Sequence, residues 1–245
     1  MYFSLMEEQR TEPTNSKKKP KSWRKYSFEF LSIFIAVVSA FALENWRVQN
    51  QENESETKIL REIANGLMAD LADTKLNMKG HKDGLRSIAY LDSLVSGLPA
   101  NPDSLHFHFH YAFRDFVSIQ NVAGYETLKS KGLELIENDE LRLQIISLYE
   151  YNYNTLRKLE EEYNEMQFHK NYFKDINSTL SPFFIFDENL NISNYRKINL
   201  SQDEVNLIKS YLAKIKRNRE FILRYYKAIE VEIMEVHEKI IKELE

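Results

Sequence analysis

Three histidines at alternate positions, in Leu105-His106-Phe107-His108-Phe109-His110-Tyr111, are the side chains of this chain best suited to hold a metal ion. On a strand, side chains alternate, so His106, His108 and His110 would share one face and the aromatic rings the other. Three imidazoles so placed suit zinc or copper. On a helix only His106 and His110 share a face, which leaves a two-ligand arrangement. The plainer reading is an amphipathic piece whose aromatics pack on the body of the protein while the histidines face water. Spacing alone supplies neither a fourth ligand nor the hydrogen bonds that orient a ligating imidazole.

Other chemistry is sparse. With no cysteine, thiol catalysis, Cys-ligated zinc and disulfides are excluded. Serine nucleophile elbows, glycine-rich phosphate loops and the HExxH pattern are absent. Glu160-Glu161-Glu162 reads as a solvated helix face. Tyr149, Tyr151, Tyr153, Tyr225 and Tyr226 read as packing between helices. The expectation is a protein that is not an enzyme and has no cofactor.

The elements that must position these side chains begin with residues 26–46, the one stretch suited to lipid. No charge interrupts it from Phe30 to Leu43. Trp23 and Tyr26 flank one end and Trp46 the other, where amphipathic rings sit at headgroup level. As helix, Trp23 to Trp46 would extend roughly 35 Å at ~1.5 Å per residue, enough for a ~30 Å hydrocarbon core. Residues 1–28 carry a net charge of +4 and the rest −8. Basic flanks stay in the cytoplasm, which places residues 1–25 inside as a polar tail. An acidic remainder argues against nucleic-acid binding. Ala40-Phe41-Ala42 has the small-x-small form of a signal-peptide cleavage site, but cutting there would imply a signal well beyond the usual ~15–30 residues. A buried core helix is the other reading of so short an uncharged run, and the basic flank and aromatic ends speak against it. Ser32, Ala36 and Ala40 form a ridge of small side chains that would let two spans approach closely. Glu29 lies near the cytoplasmic interface, within reach of water.

Beyond the span, Leu60, Leu67, Thr74, His81, Ile88 and Val95 with Ala64, Leu71, Met78, Leu85 and Asp92 form a heptad, the mark of a long helix with a coiled-coil-like seam. His81, beside Gly80 and Gly84, reads as a partly buried polar residue with room for a kink nearby. Gly97-Leu98-Pro99 stops this helix. Residues 100–137 are less regular, with a turn or helix start at Asn101-Pro102-Asp103 and short helical pieces punctuated by Gly124 and Gly132. A second long helix is expected from Asn138, a suitable N-cap, past Phe168. Ser178 to Asn199 reads as a loop whose Phe183-Phe184-Ile185-Phe186 cluster would dock on helices or on lipid. The third long helix starts at a capping box, Ser201 with Glu204, and carries Ile208, Ile215, Ile222, Ile229 and Val236 on one series. Arg219 alone interrupts that seam. Such a seam suits partners from this chain or from another copy.

Two short blocks resemble a domain-of-unknown-function family of bacterial single-span inner-membrane proteins. Glu29, the small Ala40 and the Asn45-Trp46 exit match its span, while Phe28 and Ala36 stand where the family has glycines. The second block is Thr127-Leu128-Lys129-Ser130-Lys131-Gly132-Leu133-Glu134-Leu135-Ile136, then Asn138 and Glu140-Leu141-Arg142, with Lys131 departing from a Ser-Ser-Gly pattern. The resemblance implies a topology and no activity.

The reading is therefore all-α: a cytoplasmic tail (1–25), a single transmembrane helix (26–46) and a soluble domain (47–245). That domain is an elongated bundle of three long helices with a short helical and irregular insert. The expected location is the bacterial inner membrane, with the C-terminal domain in the periplasm. The expected role is a non-enzymatic scaffold or protein-interaction module of the cell envelope, partnered by a second copy or another envelope protein. The alternative is a periplasmic sensor or binding protein with a metal or apolar ligand site near His106–His110.

Overall fold

The computed structural model describes residues 23–245, so most of the basic tail, residues 1–22, lies outside the described residues. The chain divides into two compact units, Met1–Gln51 and Glu52–Glu245. Helix α1, Trp23–Val95, contributes to both. Its first part has no glycine or proline to break it and holds one stretch long and apolar enough to cross a membrane. Phe28, Phe30, Ile33, Phe34, Phe41 and Leu43 are all exposed there.

In the second unit, α1 buries Leu60, Ala64, Leu67, Leu71, Met78, Ile88 and Val95, the heptad of the sequence. It ends where expected. Gly97 adopts φ +72°, its N–H donates to the Leu94 carbonyl and the Leu98 N–H to that of Ser93. This is a Schellman stop, which needs a residue without Cβ strain at that position. The helix is unbroken through Gly80 and Gly84. The two glycines make room: a Cβ at Gly84 would stand 2.5 Å from the Arg219 guanidinium, and one at Gly80 would overlap the Phe116 ring.

Helix α7, Gln202–Glu243, opens on the capping box of Ser201 and Glu204. Its Ile208, Leu212, Ile215, Ile222, Tyr226, Ile229, Ile233, Val236 and Ile240 are buried inside the unit. Both heptad seams are thus consumed within one chain.

Between these long helices the chain is more broken than expected. Helix α2 is Leu105–Phe113 and α3 is Ala123–Lys131, ended by Gly132 at φ +110°. Asn138 caps α4, Asp139–Ile146, by accepting from the Leu141 N–H. The chain then widens into a π-helical stretch, Ser147–Tyr153, before α5, Asn154–Glu161. The second long helix therefore stops at Glu161, short of Phe168. No glycine or proline marks the break; tertiary hydrogen bonds set it. Gln167 Nε2 donates to the Glu160 carbonyl, and the Phe168 N–H turns away to Asp115 Oδ1 at 2.8 Å. A second π-helical stretch, His169–Phe173, leads into α6, Lys174–Leu180. The expected loop after it carries a small antiparallel hairpin, β1 Phe184–Phe186 with β2 Ile192–Tyr195.

Two surface readings also change. Glu160 is buried, unlike a member of a solvated face, and accepts from the Ser118 N–H and Oγ, both at 3.0 Å, and from the Tyr226 hydroxyl. Tyr149, Tyr153 and Tyr226 pack inside as expected, while Tyr151 is exposed.

Candidate ligand cleft beside α2

The histidine segment is helical, so the strand arrangement does not arise. At about 100° per residue, His108 leaves the face shared by His106 and His110. Its Nδ1 lies 3.1 Å from Ser87 Oγ, whose own proton goes to the Asp83 carbonyl, so the imidazole donates. Its ring stacks on Tyr90 at 4.3 Å. His106 Nδ1 accepts from the Ile192 N–H at 3.4 Å, which puts the proton on Nε2. His110 Nε2 accepts from Arg114 Nη1 at 3.4 Å. Burial, with Arg114 and the neighbouring imidazoles behind it, holds the His110 pKa below the ordinary value. The three histidines do not converge. Among the described residues no group of three His, Cys, Asp or Glu side chains is placed to hold a metal ion.

What the fold does assemble is an open cleft of about 600 Å³ on the His106–His110 side of α2. That volume lies within the ~300–1,000 Å³ of small-molecule sites. Helix α2 supplies His106, Phe109, His110 and Phe113, followed by Arg114 and Asp115. The second π-helical stretch supplies His169 and Phe173, and the hairpin supplies Phe186, Leu190 and Ile192. The apolar wall is aromatic: the Phe109 ring lies 5.0 Å from Phe184 and 5.9 Å from Phe173, and His169 stacks on Phe173 at 4.5 Å. The histidine segment and the Phe183–Phe186 cluster, far apart in sequence, meet here.

Two local features of the wall are costly and are found mostly where function needs them. One is the π-helical stretch that presents His169 and Phe173. The other is Leu190, at φ +62° in the left-handed region, a conformation a branched side chain rarely takes. Leu190 is 80% exposed, so core packing gives no reason for it. The turn is held by Asp187, whose carboxylate accepts from the N–H groups of Asn189 and Asn191.

A buried pair fixes the far end of α2. Arg219 Nη2 donates to the carbonyls of Tyr111, Ala112 and Arg114 at 3.3, 3.2 and 2.9 Å, the acceptors a helix end leaves without partners. Its Nη1 donates to His81 Nδ1 at 3.1 Å, and its guanidinium lies 4.5 Å from the Phe168 ring. Burial lowers the Arg219 pKa to about 10, still charged at neutral pH. Burial and the Arg219 charge push His81 down to about 3, so it stays a neutral acceptor. Asp115 completes the frame by accepting from the Phe168 and His169 N–H groups, with its pKa raised by burial.

The sequence singles out His106, His108 and His110 as one set, and His81, Arg219 and the Phe183–Phe186 cluster separately. It does not mark Arg114, Asp115, His169, Phe173 and Leu190 as a set. Arg219, the one break in its apolar seam, was the legible clue, with His81 a polar residue on the facing heptad. No family model, no curated protein and no solved structure matches this chain.

Proposed function

We propose that this chain is a membrane-anchored, non-enzymatic binding protein that takes a small, largely apolar ligand in the cleft between α2, the His169–Phe173 stretch and the hairpin. The single observation that carries this reading is that cleft: aromatic walls, a few clustered polar groups, and a left-handed Leu190 that core packing does not require. Residues 26–46 form its anchor in the bilayer. The basic flank and the resemblance to single-span inner-membrane proteins favour a cytoplasmic N-terminus, with residues 47–245 in the periplasm.

The test is a fluorescence titration of the full-length protein in amphipol with N-phenyl-1-naphthylamine, a neutral probe that brightens in apolar surroundings. Saturable binding to the wild type that falls at least tenfold in Phe186→Glu and Leu190→Glu, both exposed positions, is the expected result. Equal titration curves for all three proteins would rule the cleft out as a binding site.

A second reading, a scaffold or protein-interaction module of the envelope, draws on exposed apolar side chains beside the α2–α3 connection. Leu76 and Val117 line one cavity there, and Ile119 is 77% exposed. It loses the support of the heptads, which are buried within the chain.

A further inference from the structure

Resting on that reading, we infer that the cleft's ligand is a monocarboxylic acid on a compact apolar body, its carboxylate seated among Arg114, His106, His110 and His169. One positive charge is left over on this wall. Five polar side chains line the cleft, of which Asp115 is the one acid, and Asp187 stands near His106 beside it. Asp115 is committed to the N–H groups of Phe168 and His169, with Arg219 behind it. Asp187, close to His106, is committed to the N–H groups of Asn189 and Asn191 and to the Asn191 amide. Arg114 has no such commitment. Its guanidinium meets His110 at 3.4 Å and lies about 6 Å from the Tyr111 and Phe116 rings, and it forms no salt bridge among the described residues. A planar guanidinium is the group best matched to a carboxylate.

The imidazoles add donors. With its Nδ1 occupied by the Ile192 N–H, His106 carries its proton on Nε2. With its Nε2 occupied by Arg114, His110 carries its proton on Nδ1. An amine would meet one fixed cation and three basic rings. A neutral polar end would leave Arg114 as it is. The apolar body would lie along Phe109, Phe113, Phe173 and Ile192.

The experiment compares three probes with one body and different ends: 6-phenylhexanoate, 6-phenylhexan-1-ol and 6-phenylhexylamine. Each is titrated calorimetrically into full-length protein in nanodiscs, with empty nanodiscs subtracted. The acid should bind about ten- to a hundredfold more tightly than the alcohol, the range of a charge-assisted hydrogen bond, with the amine weakest. Arg114→Gln should bring the acid to within about threefold of the alcohol and leave the alcohol's affinity unchanged. The variant keeps the backbone carbonyl that Arg219 holds. An alcohol as tight as the acid, or an amine tighter, overturns the inference while the cleft remains a binding site. Three probes that all fail to bind above the empty nanodisc overturn both.

Discussion

Arg219 and His81 each look misplaced in an apolar seam, and each makes sense only beside the other. A buried guanidinium costs heavily unless its donors are used. Here Nη2 goes to three carbonyls at the end of α2 and Nη1 to His81 Nδ1, while the buried Nε has no partner among the described residues. Gly84 supplies the space on α1, so it is a contact site in an unbroken helix and not the place of a kink. His81 has a consequence for stability. Its folded pKa, about 3, lies below the ordinary 6.5, so between those values the unfolded chain binds a proton that the folded one refuses. Stability must then fall as pH falls through that window. Asp70, Asp115 and Glu160, raised by burial, push the other way, so the His81 contribution is read as a difference. Between pH 7 and pH 5 the full-length wild type in detergent should lose about 2 kcal/mol relative to His81→Gln, which keeps an acceptor but not the titration. Urea midpoints at the two pH values measure it; parallel losses would contradict a neutral buried imidazole.

At the scale of elements, the ends were easier to read than the middle. Ser201 and Glu204 announce α7, Asn138 announces α4, and Gly97 closes α1, because capping is local chemistry between residues a few positions apart. The extended connection Arg114–Val122 has no such local solution. Its backbone donors are satisfied by carboxylates from distant helices: Ser118 N–H by Glu160, Ile119 N–H by Asp73, Asn121 N–H by Asp70. These partners lie 42 or more positions away, so nothing in the segment itself reveals them. Asp70 accepts also from the Asn121 amide and the Tyr153 hydroxyl. Asp70→Ala leaves the buried Tyr153 hydroxyl and the two Asn121 donors without this acceptor, which should cost about 2–3 kcal/mol. Hydrogen exchange at the Asn121 amide should quicken by a larger factor than at α7 amides, and a uniform change along the chain would argue against this anchoring role.

For the whole molecule, the proposed topology makes a simple demand. In spheroplasts of a Gram-negative host, protease added outside should degrade residues beyond 47 while an epitope placed ahead of residue 25 stays intact, and detergent should expose both. Protection of the C-terminal part would reverse the orientation. The chain by itself determined that there is an apolar N-proximal helix, that the rest is helical, and where the two long seams lie, because burial periodicity and capping are written in neighbouring residues. The folded chain alone shows that both seams are buried in one core, that the second helix breaks at Glu161, and that His106 and His110 line a cleft with His169 and Leu190 while His108 turns to Ser87. Those outcomes depend on which distant donor satisfies which buried acceptor, a pairing that sequence spacing does not encode.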